Sequence, residues 1–371
     1  MKHTKETKLN NIQNNLSQGK LKLQSKQKPM IGVDIGTNSI EIVQMKNNGR
    51  IKSYGLEIVP EGMVNQGRVE TIFPLADIIR RCINNNKIKG STCSLCLSSN
   101  ELIIRELTLP EMSEAQIYEN IQIEITSILP LKHDEYCVDY KILEYISSHD
   151  NAPNKLRIMV ATAPVSLIRS YMNVLKRAKL KVVHIDVAPN VVGKILKWMI
   201  QKVGHNFGNN NVCFIDFGGQ STQVIILKEG NYFIHKVIAS GGAYLTSIIA
   251  EKGNMDFFRA EEHKYRTNFF DETSYNELNI HVKNYFEYLL TDIGRTMEFF
   301  DNRNNHIGID HIFIMGGGSL LPGLRNFMKA HLTPEVNLIS DVLGSTNTGN
   351  EFYKKTSLYT YAIGATMREE W

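Results

Sequence analysis

The sequence predicts an α/β protein made of two duplicated lobes facing one cleft, with a further module inserted in the first lobe. Three observations lead there. A pattern of strand, Asp-x-Gly turn, strand, turn and strand opens at Asp34 and returns nearly half a chain later at Asp216. A third glycine turn, Gly316-Gly317-Gly318-Ser319, also ends a strand and precedes a helix. At 371 residues the chain exceeds what one hydrophobic core comfortably organises.

Composition narrows the class. With 42% hydrophobic and 22% charged residues, collagen-like, fibrous and mostly disordered chains are excluded. Five cysteines do not make a disulfide scaffold. No long apolar run marks a transmembrane helix, and no apolar core follows the basic N-terminus, so a cytoplasmic location is expected. The formal net charge of +4 is concentrated at one end: residues 1–28 hold seven lysines and one acid, leaving the remainder slightly acidic. A nucleic-acid groove across the fold is therefore not expected. Residues 1–28 read as a solvated tail. Leu9, Ile12 and Leu16 also allow one short amphipathic helix in weak contact with an anionic membrane surface.

Order is expected from Pro29. Met30–Val33 and Ile40–Met45 flank the first Asp-x-Gly turn; Asn47–Arg50 turns the chain into a strand over Ile51–Val59. Ser91–Leu97 and Leu102–Leu109 alternate like strands. Ser113 then caps a helix whose apolar positions are Ile117, Ile121, Ile125 and Ile128, ended by Pro130. Strands follow over Tyr136–Tyr145 and Lys155–Ala161, a helix over Ser166–Ala178 and a strand over Val182–Val187. The second lobe repeats the opening pattern with Val212–Ile215, Val224–Leu227 and Tyr232–Ile238. Ser274–Arg303 reads as one helix with a core stripe through Phe286, Leu289, Leu290, Ile293, Met297 and Phe300. Ile312–Met315, Pro322–His331 and Leu358–Met367 close the chain as strand, helix and helix, with a loop at 344–350.

The chemistry lies in the glycine turns. A strand ending in Asp and turning through Gly and Thr or Ser aims successive backbone N–H groups into one concavity, a nest that holds phosphate oxygens. Asp34, Gly36, Thr37, Asn38 and Ser39 form the first nest; Asp216, Gly218, Gly219, Gln220, Ser221 and Thr222 form the second. The two aspartates suit Mg²⁺ held through water, neutralising a triphosphate. Gly316, Gly317, Gly318 and Ser319 would let a planar base lie against the backbone. Glu261 and Lys264, three apart on one helix face, either reach a ribose or form a solvated ion pair. Gly241 and Gly242, after Ser240 and before a helical run, would add phosphate contacts at a helix N-terminus. Cys93 and Cys96 alternate to opposite faces of a strand, which argues against zinc. No nucleophile elbow or Walker loop is present.

With these motifs in place the sequence resembles the actin-like ATPase superfamily. The carriers are Asp34-Ile35-Gly36-Thr37, Asp216-Phe217-Gly218-Gly219, Met315-Gly316-Gly317-Gly318-Ser319, and two connecting helices beginning near Asp186-Val187-Ala188-Pro189 and at Tyr361-Ala362-Ile363-Gly364-Ala365. Within it, residues 30–371 look like the PilM family of type IV pilus assembly. Leu107-Thr108-Leu109-Pro110 through Ile128-Leu129-Pro130, Val183-His184-Ile185-Asp186-Val187, and Ile293-Gly294-Arg295-Thr296-Met297-Glu298-Phe299-Phe300 carry that likeness.

The resemblance implies an ATP-binding scaffold, with residues 29–90 and 159–210 as the first lobe and 91–158 as an inserted partner-binding subdomain. It implies 211–250 and 306–355 as the second lobe, 251–305 as its outer subdomain, and 356–371 as a helix returning to the first lobe. It also implies docking of the cytoplasmic N-terminal peptide of the inner-membrane protein PilN. A ring or platform, and hence a homo-oligomer, would form under the PilN–PilO–PilP complex near the pilus motor ATPases, at the inner membrane through partners only. The peptide groove would involve the helix over Ser113–Ile128, with Leu107, Leu109 and Tyr118 as neighbours. Hydrolysis would be slow at best. Asp186 is the one carboxylate nominated to position water, or else it caps the following helix. An FtsA-like division protein and a small-molecule kinase or phosphatase are the alternatives. The first lacks its C-terminal amphipathic helix here, and the second lacks a set of polar substrate residues between the phosphate motifs.

Overall fold

A computed structural model describes residues 31–46, 50–128, 135–147, 153–203, 207–273, 276–343, 352 and 355–367. The basic N-terminal segment, the turn at 47–49 and the loop at 344–350 lie outside the described residues.

Two five-stranded sheets form the lobes. The first contains β1 (Ile31–Ile35), β2 (Ser39–Met45), β3 (Ile51–Ile58), β6 (Thr92–Leu97) and β10 (Lys181–Val187), in the order β10-β6-β1-β2-β3. The second contains β11 (Asn211–Phe217), β12 (Thr222–Lys228), β13 (Asn231–Ile238), β14 (His311–Met315) and β15 (Glu335–Leu338), in the order β13-β12-β11-β14-β15. The two are topological copies. Each aspartate-bearing strand pairs antiparallel with the next strand and parallel with a later one. Between β3 and β6 run a short hairpin, β4 (Val64–Asn65) with β5 (Arg68–Val69), and α1 (Ile72–Asn85).

The inserted module is a three-stranded antiparallel sheet, β7 (Ile103–Pro110), β8 (Tyr136–Ile146) and β9 (Lys155–Pro164), in the order β7-β9-β8, covered by α2 (Glu114–Ile128). Ser113 and Gln116 cap α2 reciprocally: the Ser113 N–H donates to Gln116 Oε1 at 3.0 Å. One expected boundary is corrected. Ser91–Leu97 was assigned to the insert, but β6 is a central strand of the first sheet, hydrogen-bonded to β1 and β10. Its nearly unbroken burial shows both faces covered, which alternation alone does not report. The insert therefore runs from β7 to β9, and β9 leads directly into α3 (Val165–Arg177).

Helices fill the remaining layers. α1 and α3 cover the outer face of the first sheet, around Val33, Leu75, Ile79, Leu95 and Tyr171. Between the sheets lie α4 (Ala188–Trp198) and the last helix, α10 (Thr360–Thr366), sharing a core with Val43, Phe214, Ile225 and Phe313. α10 presses so close to β1 that a Cβ on Gly32 would sit 1.9 Å from the Ala362 carbonyl oxygen. The outer face of the second sheet carries α5 (Gly242–Lys252), α6 (Phe257–Arg266) and α7 (Glu277–Arg303), with α8 (Leu324–His331) and the short α9 (Ile339–Leu343) completing the lobe.

Candidate functional site

The two Asp-x-Gly hairpins are built alike down to single bonds. Gly36 N–H donates to Ser39 O at 2.9 Å, and Gly218 N–H donates to Ser221 O at 3.0 Å. They meet across the cleft: Gly219 lies against the side chains of Thr37 and Asn38. Gln66 N–H donates to Gln220 Oε1 at 2.7 Å, and Gln223 Nε2 donates to Ser98 Oγ at 3.0 Å, so both lobes contribute to one seam.

Asp34 and Asp216 stand at the ends of β1 and β11, both buried. Burial, reinforced by the charge of Asp216, raises the Asp34 carboxyl to about 7, and burial raises Asp216 to about 6 against the pull of the neighbouring Tyr361 hydroxyl and Gln223 amide. Two buried carboxylates that form no ion pair with a cation among the described residues are a fitting place for a metal carried by a nucleotide. A third, Glu41, escaped the sequence reading. It sits opposite Asp34 in the β1–β2 register and is 4% exposed, and burial followed by the Asp34 charge holds its pKa well above the usual range. One signal existed: Glu41 is the one charged residue of the strand Ile40–Met45.

The third glycine turn borders the same aspartate. Gly316 has φ of 77°, and a Cβ there would lie 2.2 Å from Asp216 Oδ1, so only glycine fits. Gly318 packs on Phe217, and Gly317 faces the Tyr265 hydroxyl, which the sequence did not single out.

Several nominated donors are occupied within the protein. Thr222 Oγ1 donates to Ser240 O at 2.7 Å, and Ser319 Oγ donates to Gly316 O at 2.7 Å. The N–H groups of Gly242 and Ala243 donate to Gly218 O and Gly219 O, so the start of α5 braces the second hairpin instead of presenting a free anion site. Lys264 and Glu261 are not a solvated pair, because the lysine end is enclosed. Lys264 is 1% exposed and donates to Glu261, to Thr246 Oγ1 at 2.8 Å and to Gly242 O at 3.2 Å, tying α6 to α5. Burial lowers the Lys264 pKa, against the pull of Glu261.

Asp186 is fully buried. Burial disfavours its charge, but Lys194 Nζ at 2.6 Å, together with His184, outweighs that and keeps the carboxyl well below the usual range. Its Oδ1 accepts from Val187 N–H at 2.8 Å and Asn190 Nδ2 at 2.9 Å. This is the start of α4, held by a carboxylate; the water-positioning role expected from sequence is not available to a group so enclosed.

The second feature is a small, shallow trough of about 20 Å³ in the insert, lined by Ile103, Arg105 and Leu107 of β7, Val160 and Thr162 of β9, and Glu124 and Ile125 of α2. Ile117 and Ile121 are buried against Leu109, Val138, Leu156 and Ile158, so half of the isoleucine stripe packs on its own sheet and Ile125 opens to the trough. Leu109, expected as a lining residue, is in that core. Tyr118 packs edge-on to Tyr140. Thr162 Oγ1, on the trough floor, is buried with no hydrogen-bond partner among the described residues.

A profile of the type IV pilus assembly protein PilM family matches residues 32–370. The chain belongs to the PilM family. Among solved structures, a PilM-PilN type IV pilus biogenesis complex superposes with a TM-score of 0.79 at 20% identity, over 92% of this chain and 98% of that one. The ethanolamine utilization protein EutJ of Carboxydothermus hydrogenoformans superposes at 0.55, with 15% identity over 97% of each chain. A cell division protein FtsA of Buchnera aphidicola subsp. Schizaphis graminum is 22% identical over 269 residues, which span 60% of its length. The fold is that of actin-like ATPases, and the inserted sheet with its trough is part of this PilM-family chain. Among the described residues no helix is long and apolar enough to cross a membrane.

Proposed function

We propose that this chain is an ATP-binding scaffold of type IV pilus assembly that docks an extended peptide from a PilN-type inner-membrane partner in the insert trough. The observation that carries the reading is the trough itself. It is apolar along Ile103, Leu107, Ile125 and Val160, with one residue of each charge, Arg105 and Glu124, in its lining. That composition suits a short apolar peptide segment. Family membership and likeness to a PilM-PilN complex support the same partner. The chain would sit on the cytoplasmic side of the inner membrane through that contact, and a platform with PilO, PilP and the pilus motors extends the same reading.

ATP would sit in the cleft at the two hairpins, with the backbone N–H groups of Thr37, Asn38, Gly219 and Gln220 as its expected phosphate donors. Mg²⁺ would be held through water by Asp34 and Asp216, and it supplies neutralising charge to the phosphates. Turnover is expected to be slow, since the one nominated carboxylate, Asp186, is locked to Lys194.

The test is fluorescence anisotropy with a labelled N-terminal PilN peptide from the same cell. Leu107→Asp should weaken binding at least about tenfold by placing a charge in an apolar trough, with ATP binding unchanged. Wild-type affinity in the folded variant would place the partner elsewhere.

A further inference from the structure

The two sheets are topological copies, but the ends of their strands far from the hairpin aspartates differ in charge. At this far rim of the first lobe β1, β6 and β10 begin and β2 turns into β3. Three segments build it. The β2–β3 turn brings Lys46, Arg50 and Lys52. The approach to β6 brings Lys87 and Lys89. The passage from α3 into β10 brings Lys176, Arg177, Lys179 and Lys181. Stretches 44–53, 84–93 and 176–182 thus hold nine basic residues and no acid. All but the half-buried Lys181 are exposed, and the lysines form no ion pair among the described residues.

Backbone bonds set the segments side by side. Lys89 N–H donates to Gln44 Oε1 at 3.1 Å, and Lys181 N–H donates to Ser91 O at 2.6 Å. Five strands about 4.8 Å apart make the rim about 20 Å wide, so its charges act together within about two Debye lengths. The second lobe places acids at the matching positions: Glu229 in the β12–β13 turn, Asp310 ahead of β14 and Glu335 at the start of β15. Duplication therefore does not require a basic rim. The chain also enters β1 at Ile31, on this rim, which tethers the seven lysines of residues 1–28 to it. Beside it, Phe73 is 62% exposed, with the Arg177 guanidinium 3.7 Å above its ring.

We propose that this rim of the first lobe is a membrane-docking face that binds anionic lipid headgroups directly. The choice of a membrane rests on the inner-membrane placement proposed above. A broad row of long, exposed cations meets a sheet of anionic headgroups at many points at once, and an exposed aromatic ring suits the headgroup boundary, which a nucleic-acid duplex does not offer.

The experiment is co-sedimentation of the full chain with vesicles of phosphatidylcholine alone, or mixed equally with phosphatidylglycerol, without nucleotide or PilN peptide. Wild type should bind the anionic vesicles at least about tenfold more tightly and lose that preference at high salt. Lys87→Glu with Lys179→Glu should weaken anionic binding at least about tenfold. Lys155→Glu with Lys236→Glu makes the same charge change at exposed positions away from the rim and should alter binding less than about threefold. Circular dichroism checks that both variants fold, and both keep residues 1–28. Equal effects of the two pairs, or none from the rim pair, would overturn the proposal and assign any lipid binding to net charge or to residues 1–28. Equal binding of both vesicles would overturn it as well. Tighter binding to double-stranded DNA than to anionic vesicles at matched charge would overturn it in favour of a nucleic-acid partner. With peptide and ATP absent, failure of the peptide or nucleotide reading leaves this outcome distinguishable.

Discussion

Asp34 keeps its proton at pH values where an exposed aspartate has none, and that has a thermodynamic sign. Its folded pKa is raised to about 7 from 3.8, so the ionised form is penalised only in the folded state. The penalty grows as pH climbs from about 4 to about 7 and is then constant. Asp34→Asn removes it. Relative to wild type, the variant should therefore gain stability between pH 5 and pH 8, by about 2 kcal/mol, read from paired thermal melts without nucleotide. His235, which burial holds near 4 and neutral, acts in the opposite direction in both proteins and cancels in the difference. A gap that shrinks with rising pH would contradict the burial of Asp34. Lys194 shows the reverse situation. It is buried and pairs with Asp186, and its ammonium also donates to Met367 O at 3.1 Å. Lys194→Met takes from the buried Asp186 carboxylate its close cation and should cost about 3–5 kcal/mol, a large drop in melting temperature.

At the level of elements, the contact between β1 and α10 is set by an absent side chain. With the Ala362 carbonyl where a Gly32 Cβ would stand, Gly32→Ala must push the last helix away from the strand that carries Asp34. A loss of about 1–3 kcal/mol is expected, together with weaker ATP binding, measured by melts and titration on the same sample. An unchanged melt would mean the helix has room that this packing denies it. This contact also shows what could be read in advance. The small face of the last helix was visible as Ala362, Gly364 and Ala365, and the paired Asp-x-Gly turns marked both lobes. The strands were found because their apolar runs are bounded by glycine turns. What escaped was assignment of strands to sheets: β6 alternates as an insert strand would, and only its partners β1 and β10 place it in the first lobe. The helix α1 has Leu75, Ala76, Ile79 and Cys82 at helical spacing but no glycine turn at either end to mark it off. Among site residues, nests were legible because glycine spacing encodes them. The internal commitments of Thr222, Ser319, Gly242 and Lys264 were not, since a hydroxyl or ammonium in a motif does not declare which oxygen it will meet.

For the whole molecule, the inserted sheet has two faces and they answer to different parts of the chain. Ile158 and Val160 of β9 face α2 and the trough. Met159 and Ala161, on the opposite face, pack against Val187 of the first lobe and Tyr232 of the second. The Tyr232 hydroxyl donates to Ile104 O at 3.3 Å, on the strand whose neighbours Ile103 and Arg105 line the trough. One sheet thus separates the trough from β13, a strand one hairpin turn beyond the Asp216 hairpin. If a peptide prefers one setting of that sheet, it prefers one setting of the second lobe, and a nucleotide that draws the lobes together must return the favour in equal measure. The factor by which ATP changes peptide affinity has to equal the factor by which peptide changes ATP affinity, and Tyr232→Ala is the substitution that should bring both factors toward one. The scaffold would then report its nucleotide state to the membrane through the stiffness of three strands, with no hinge of its own in between.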